Sequence, residues 1–294
     1  MAQTDAPLRA RAEAETERLP PLLARADRLA RTVIMGEHGR RRAGTGDDFW
    51  QYRPVQPGDA RGAIDWRRSA RSDAQFVRQR EWKQAQSVML WVDPAASMRF
   101  ASHKDLPEKA DRARLLALAV SLLLERGGER VGMTGTALPP RCGAAQIARI
   151  AEALMSESGE DHAAPDMTGL VPHGRALLIS DFLGDPAPLR AALVAAADRG
   201  VRGVLCHVLD PAEEAFPYRG RTIFQSMAGT MQHETLRADD LRARYLDRLA
   251  ARKDALASLA AATGWQYGCH HTDSGAQSAL LWLYRAISEG GAGA

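Results

Sequence analysis

This chain of 294 residues has few cysteines and no long apolar run. Its three cysteines lie far apart without CxxC spacing, which argues against a disulfide framework or a zinc-finger site. They are Cys142, Cys206 and Cys269. No apolar stretch approaches the roughly 18 residues that span a bilayer. The first residues also lack the basic start and apolar core of a secretion signal, so we expect a cytoplasmic protein.

The common catalytic motifs are missing as well. The chain contains no GxSxG elbow, no Walker A loop and no HExxH helix. The adjacent His270 and His271 predict a surface loop, because metal-binding histidines normally converge from spaced positions. We therefore expect a protein that is not an enzyme, with a metal-dependent hydrolase built on Asp93 and Asp181 as the alternative.

Positive charge is concentrated in the first third of the chain. Residues 1–83 hold 17 Arg and Lys against 12 Asp and Glu, whereas the whole chain carries a net charge of +3. Arginines interleaved with aromatic residues are typical of single-stranded nucleic acid binding. The acidic residues among them favour instead an Arg–Asp network that holds this segment on the neighbouring domain. Some arginines then remain for a protein partner, and those we select are Arg61, Arg67, Arg68 and Arg71.

The pattern of apolar and turn-forming residues divides the chain into four parts. Residues 1–35 predict an amphipathic helical segment, interrupted at Pro20-Pro21. Residues 36–85 predict an Arg-rich segment that packs on the sheet domain. Residues 86–289 alternate strands with helices, which indicates a mainly parallel sheet with helices on both faces. The Gly/Ala tail at residues 290–294 is predicted to be disordered.

The individual elements follow from apolar runs and helical spacing. Strands are predicted at 87–92, 131–136, 176–180, 203–209 and 265–268. Helices are predicted at 107–126, 144–156, 187–199, 237–263 and 276–288. In the Arg-rich segment, the glycines and prolines of residues 36–60 predict an ordered loop region. The expected fold class is therefore a three-layer α/β domain, preceded by a helical and loop-rich segment.

Two of the predicted strands end in acidic residues. The run 87–92 is followed by Asp93, with Ser97 four residues later, and the run 176–180 is followed by Asp181. Neighbouring parallel strands share one carboxyl edge, where open α/β sheets form their binding crevice. Two carboxylates and a hydroxyl suit Mg²⁺. The alternative is that both acids only cap the elements that follow them.

Several longer motifs resemble a known family. They are Gly44–Phe49, Tyr52–Asp59, Arg61, Ile64–Trp66, Ser69–Arg71, Ile179–Phe182 and Val208–Glu213. On these motifs the chain resembles the family known as domain of unknown function 58, over roughly residues 30–290. The resemblance implies a von Willebrand factor A-like fold.

That fold implies a metal-ion-dependent adhesion site, built on Asp-x-Ser-x-Ser with a separate Thr and a separate Asp. The first motif runs from Asp93 to Ser97 in this chain, with Ala95 in place of one serine. Asp181 fits the separate Asp, and Thr168 is the nearest residue for the Thr. The resemblance thus implies a Mg²⁺ site. A degenerate site, in which Asp93 is only a structural hydrogen-bond acceptor, is the alternative.

The resemblance also implies a function. It predicts a non-enzymatic adaptor that binds a protein partner at the strand-edge crevice, with a MoxR-type AAA+ ATPase as partner. The pair would act as a chaperone or in the assembly of another protein complex. A nucleic-acid-binding module and a pure scaffold with a degenerate metal site are the alternatives.

Overall fold

The computed structural model describes residues 20–33, 43–44, 48–57, 59–71, 74–81 and 85–289. The chain divides into two compact units, one of residues 35–85 and the other of residues 1–34 together with 86–294. Helix α1 spans residues 20–31 and belongs to the larger unit. The predictions made for residues 1–19 and for the tail 290–294 lie outside the described residues.

The smaller unit is organised around an antiparallel sheet in the order β1-β3-β2. Its elements are β1 (Ala43–Gly44), β2 (Asp48–Pro54), α2 (Trp66–Ser69) and β3 (Phe76–Glu81). The prediction of a loop throughout residues 36–60 is therefore wrong for β2. This strand forms because it pairs with β3, more than twenty residues further along, and local Gly and Pro content carries no information about such a partner.

The larger unit contains a six-stranded sheet in the order β11-β8-β7-β4-β5-β6. The strands of this unit are β4 (Ser87–Val92), β5 (Arg130–Met133), β6 (Leu138–Arg141), β7 (Arg175–Ser180), β8 (Arg202–Leu209), β9 (Thr222–Gln225), β10 (Gln232–Thr235) and β11 (Gln266–His271). All neighbours in the sheet are parallel except the edge pair β5 and β6. Strands β9 and β10 form a separate two-stranded antiparallel hairpin.

Helices cover both faces of this sheet. They are α3 (Lys109–Arg126), α4 (Ala144–Ala153), α5 (Pro186–Asp198), α6 (Pro211–Ala215), α7 (Asp239–Ala262) and α8 (Ala276–Glu289). One core joins α1, α3, α4 and α8 to the sheet, and the other joins α5 and α7 to its opposite face. Within the described residues, no helix is both long and apolar enough to cross a membrane.

Successive side chains of a strand point to opposite faces of the sheet, which explains why there is one core on each face. In β4, Val88 and Leu90 lie in the core with α3, whereas Met89 and Trp91 lie in the core with α5. A strand buried on both faces must be apolar throughout its buried part, as residues 88–92 of β4 are. The predicted three-layer α/β architecture is confirmed, and it is consistent with a von Willebrand A-like fold.

Candidate functional site

Three neighbouring parallel strands end in buried acids at one edge of the main sheet. Asp93 follows β4, Asp181 follows β7 and Asp210 follows β8, and none of the three is more than 4% exposed. The chain runs from β4 to β5 on one side and returns to β7 on the other. This reversal is the point where open α/β sheets place their binding crevice.

Both oxygens of the Asp93 carboxylate accept hydrogen bonds from neighbouring residues. Its Oδ1 accepts a hydrogen bond from the Ala95 N–H at 2.9 Å, and its Oδ2 accepts one from Ser180 Oγ at 2.6 Å. Burial raises the pKa of Asp93 to about 6, and these two hydrogen bonds only partly oppose that rise. Asp93 therefore acts as a buried hydrogen-bond acceptor in this arrangement.

Asp181 is paired with a lysine that the sequence did not point to. Lys109 Nζ, at the start of α3, lies 2.8 Å from Asp181 Oδ2 and 2.6 Å from Glu213 Oε1. The side chains of Lys109 and Asp181 are each 1% exposed. Burial alone would raise the pKa of Asp181, but the charge and hydrogen bond of Lys109 hold it below its usual range.

Asp93, Asp181, Asp210 and Glu213 form an acidic cluster, and its remaining carboxylate oxygens also accept hydrogen bonds. Asp181 Oδ1 accepts from the Leu183 N–H at 3.1 Å, and Glu213 Oε2 accepts from the Asp210 N–H at 2.8 Å. Asp210 caps α6 through the Ala212 N–H at 2.8 Å and also accepts from the Ser102 N–H at 2.9 Å. Each carboxylate oxygen of Asp93, Asp181, Asp210 and Glu213 thus accepts a hydrogen bond from within the chain.

The other two residues predicted for the metal site differ in placement. Ser97 Oγ lies close enough to Asp181 to help lower its pKa, but it is buried without a hydrogen bond of ordinary geometry. Thr168 is exposed, its N–H donates to Asp166 at 2.8 Å and its carbonyl accepts from the Gly135 N–H. None of the contacts that the described residues make joins Thr168 to Asp93, Ser97 or Asp181. The structure therefore brings three of the four predicted ligands together.

The donor set at this edge does not fit a divalent cation as it stands. Mg²⁺ requires several oxygens in near-octahedral geometry. Here Ser97 alone offers an oxygen without a hydrogen bond, and a lysine ammonium already contacts Asp181. A second positive ion on the same carboxylate would be repelled by that ammonium. The predicted Mg²⁺ site stays a prediction, and it would require the ion to compete with Lys109.

A later segment of the chain is hydrogen-bonded to the loop that follows β4. Three backbone hydrogen bonds of 2.8–3.0 Å join residues 158–161 to residues 94–97. The carboxylate of Asp161 then accepts from the Ala228 N–H at 2.8 Å and from the hydroxyl of Thr230. These last two residues lie in the turn between β9 and β10, so the hairpin is fastened beside the Asp93–Ser97 loop.

Exposed apolar side chains are concentrated in and next to the hairpin. Six large hydrophobic side chains are exposed among the described residues, and four of them belong to residues 223–236. These four are Ile223, Met227, Met231 and Leu236. On the inner face of β9, Phe224 stacks against Phe216 with ring centroids 5.8 Å apart. The hairpin is therefore held by an aromatic cluster on one face. On the opposite face Ile223 lies across from Glu234, and Met227 and Met231 are exposed in the turn.

The four arginines proposed for partner binding are all exposed in the smaller unit. Arg61 lies in a short 3₁₀ turn, whereas Arg67, Arg68 and Arg71 line one shallow pocket together with Tyr52 and Phe76. The Arg68 guanidinium lies 4.3 Å from the ring centroid of Tyr52. Three of the four arginines thus share one pocket, with Arg68 over an aromatic ring, and the binding role of all four stays a prediction.

Part of the predicted Arg–Asp network is present within this unit. Arg53 and Asp59 form a bidentate pair with N···O distances of 2.7 and 2.5 Å. The hydrogen bonds from Arg53 lower the pKa of Asp59 to about 2. Asp65 caps α2 by accepting from the Arg68 N–H at 3.0 Å. Such pairs fix the local chain and reduce the positive charge that faces solvent.

A second polar cluster lies at the end of β11. The interpretation of His270 and His271 as a surface loop is wrong, because parallel pairing with β8 continues through both residues. His271 Nε2 and Lys253 Nζ both contact the carboxylate of Glu214, and Cys269 lies within the same group. Burial raises the pKa of the Cys269 thiol to about 11, so this thiol is protonated at neutral pH.

Lys109, Asp210 and Glu213 are residues of this edge that the sequence analysis missed. The run Asp210-Pro211-Ala212-Glu213 does contain a signal, because Asp followed three residues later by Glu is a capping box. A third strand ending in an acid was also visible. No comparable signal marks Lys109, which lies 72 residues from Asp181 and 104 residues from Glu213 along the chain.

Two of the solved structures with similarity to this chain are from Bacteroides. An aerotolerance-related membrane protein of Bacteroides fragilis is 16% identical, with 70% of this chain and 100% of that chain covered and a TM-score of 0.43. The conserved hypothetical protein BatB of Bacteroides thetaiotaomicron is 15% identical, with the same coverage and a TM-score of 0.40.

Sequence comparison finds relatives of this chain and a matching family. Uncharacterized proteins of Mycobacterium tuberculosis and Mycobacterium bovis are 30% identical over 208 residues, which cover 66% of this chain and 64% of theirs. The match thus spans less than two thirds of the length of these curated relatives. Residues 51–255 match the family described as protein of unknown function DUF58. That match covers more than half of the chain, which therefore belongs to the DUF58 family.

Proposed function

We propose that this chain is a non-enzymatic protein-interaction adaptor of the cytoplasm, which binds its partner at the carboxyl edge of the main sheet. The partner we propose is the one that the family resemblance implies, a MoxR-type AAA+ ATPase. The pair would then serve as a chaperone or in the assembly of another protein complex.

The observation that carries the proposal is the concentration of exposed apolar side chains in the β9–β10 hairpin and its turn. Single exposed hydrophobic side chains are normal on a soluble protein, but clusters of them mark interaction surfaces. Ile223, Met227 and Met231 are between 42% and 67% exposed and belong to one hairpin. Methionine is well suited to such a surface, because its flexible side chain adapts to the shape of a partner.

The state of the buried acids supports a role other than catalysis. A general acid or base must reach the proton that it transfers, either directly or through one water. Asp93 and Asp181 are at most 4% exposed, and all four of their oxygens accept hydrogen bonds from within the chain. These groups support the shape of the edge, and the surface above them is left for binding.

The proposal is tested by measuring the affinity of the purified chain for a purified MoxR-type ATPase from the same organism. We expect Met231→Asp combined with Ile223→Asp to weaken binding by at least tenfold, because a charge is introduced into an apolar contact. Val194→Asp is the matched control, since Val194 is also an exposed apolar residue, 45% exposed, on helix α5. Circular dichroism establishes that each variant is folded.

Three outcomes separate the parts of the proposal. Loss of binding in the hairpin variant but not in Val194→Asp supports both the surface and the partner. Equal binding by all variants would place the contact elsewhere on the chain. If the wild type does not bind the ATPase at micromolar concentrations, with or without a non-hydrolysable ATP analogue, the proposed partner is wrong.

A further inference from the structure

A cation of the protein's own already lies among the acids of the sheet edge. Lys109 Nζ contacts carboxylates that follow two different strands, Asp181 after β7 and Glu213 after β8. The ring of Phe100 adds a third contact, with its centroid 5.8 Å from the nitrogen. Burial by itself lowers the pKa of Lys109, but the two carboxylates outweigh it, so the pKa is raised and the ammonium stays charged.

We propose that the ammonium of Lys109 is the resident cation of this edge and takes the place of the divalent metal ion that the fold implies there. Because it is part of the chain, the sheet edge keeps its geometry in the absence of metal. This inference does not depend on the proposed partner, since it concerns the isolated protein and is measured on it.

The hydrogen bonds at this edge explain why the Lys109 ammonium can stabilise the buried carboxylates without a metal ion. A buried carboxylate needs donors or a positive charge, because water can no longer solvate it. Asp93 obtains donors from Ala95 and Ser180, while Asp181 and Glu213 share the positive charge of Lys109. Each carboxylate of Asp93, Asp181, Asp210 and Glu213 thus already has hydrogen-bond donors or the Lys109 ammonium within the chain.

The test compares thermal unfolding of the wild type and of Lys109→Met. Both are measured in chelator-treated buffer and then with millimolar Mg²⁺ or Ca²⁺, with sodium chloride added to keep the ionic strength constant. The wild type should show no saturable change in Tm. Lys109→Met leaves two buried carboxylates without their cation, so its Tm should be lower by roughly 10 °C. Either divalent ion should restore roughly 5 °C, since it can now bind where the ammonium was.

Two further choices make the comparison specific. Arg114→Met is the matched control, because Arg114 is also a buried cation of helix α3, 5% exposed and paired with Glu157. It should lower the Tm without making the protein respond to Mg²⁺. Hard cations are used in place of zinc, because the group of Glu214, Cys269 and His271 offers ligands that soft metals prefer.

The proposal is overturned by a saturable, Mg²⁺-dependent rise in the Tm of the wild type that Asp93→Asn abolishes. It is also overturned if Lys109→Met folds but its Tm does not rise with either Mg²⁺ or Ca²⁺. If Lys109→Met does not fold, the proposal is tested with the triple variant Lys109→Met/Asp181→Asn/Glu213→Gln. This variant replaces the cation and both of its carboxylates with uncharged side chains. Recovery of a folded protein supports a charge-balancing role for Lys109, and failure to recover contradicts it.

Discussion

His270 connects the last strand of the main sheet to helix α3. It is 7% exposed, and its Nε2 lies 2.9 Å from Nη1 of Arg112. The same guanidinium donates to the carbonyl of Thr272 at 2.9 Å and to that of Ser274 at 2.5 Å. Since arginine has only donors, His270 must accept through Nε2 and is therefore neutral in the folded protein.

This neutral histidine makes the protein sensitive to acid. Burial, followed by the charges of Arg112 and His271, lowers the pKa of His270 to about 4, and Asp273 opposes this only partly. The unfolded chain takes up the proton near pH 6.5. The free energy of unfolding should therefore fall between pH 6.5 and pH 4, by about 2–3 kcal/mol from this residue.

Urea unfolding at pH 7, 5.5 and 4.5 measures this effect. The variant His270→Gln should show a shallower loss of stability over that range than the wild type. Its curve should not be flat, because burial also lowers the pKa of His207 to about 4 and that residue contributes in the same direction. Parallel pH profiles for the two proteins would contradict the assignment.

Among the elements, helix α1 shows how small side chains allow a helix to approach its neighbours. Ala26 and Ala30 are fully buried in the core that contains α3 and α8. Leu22 lies one turn earlier on the same face, and Val33 follows the helix. Their spacing of three to four residues is that of one helical face. The contact therefore depends on residue size as well as on hydrophobicity.

The contact of α1 with the core is tested by enlarging one alanine. Ala26→Leu should reduce the free energy of unfolding by about 1–3 kcal/mol, because a packed core has no room for three more carbon atoms. Ala24→Leu is the matched control, since Ala24 is exposed on the same helix and should change stability by less than about 0.5 kcal/mol. Equal effects in denaturant titrations would mean that α1 does not pack closely in solution.

Most strands of the main sheet were predictable from local signals, whereas strand β6 and the separate β9–β10 hairpin were not. Strand β4 occupies the predicted residues 87–92, since an apolar run bounded by polar residues is a local signal. Strand β6 was missed because its sequence, Leu138–Arg141, contains two prolines. Proline is tolerated there because β6 is at the edge of the sheet. The β9–β10 hairpin was missed because its exposed apolar residues do not form a long run.

For the whole molecule, charge is the property that bears on the nucleic-acid alternative. The net charge is only +3, and in the smaller unit Arg53 is paired with Asp59. A nucleic acid interface normally presents a more one-sided positive surface. The exposed arginines Arg67 and Arg71 nevertheless line one pocket with aromatic residues, so the alternative merits a direct measurement.

We expect only weak binding of single-stranded DNA. Fluorescence anisotropy with a labelled oligonucleotide at 150 mM salt should give a Kd no tighter than about 10⁻⁵ M, the range of nonspecific binding. Arg67→Ala/Arg71→Ala and the charge-matched control Arg149→Ala/Arg190→Ala, which changes two exposed arginines of the larger unit, should then behave alike. Tight, salt-sensitive binding lost only in the first variant would favour the nucleic-acid function.

The sequence by itself determined the layered α/β fold and the edge at which the acids meet. Apolar runs identify buried strands, and a parallel arrangement brings the residues that follow them, Asp93 and Asp181, to one edge. Only the tertiary structure decided what neutralises these acids. Lys109 reaches Asp181 across 72 residues of sequence, and an ion pair between distant residues leaves no periodic pattern in the chain. Local chemistry is therefore readable from the sequence, whereas the choice between a metal ion and an ammonium depends on which side chains the fold brings together.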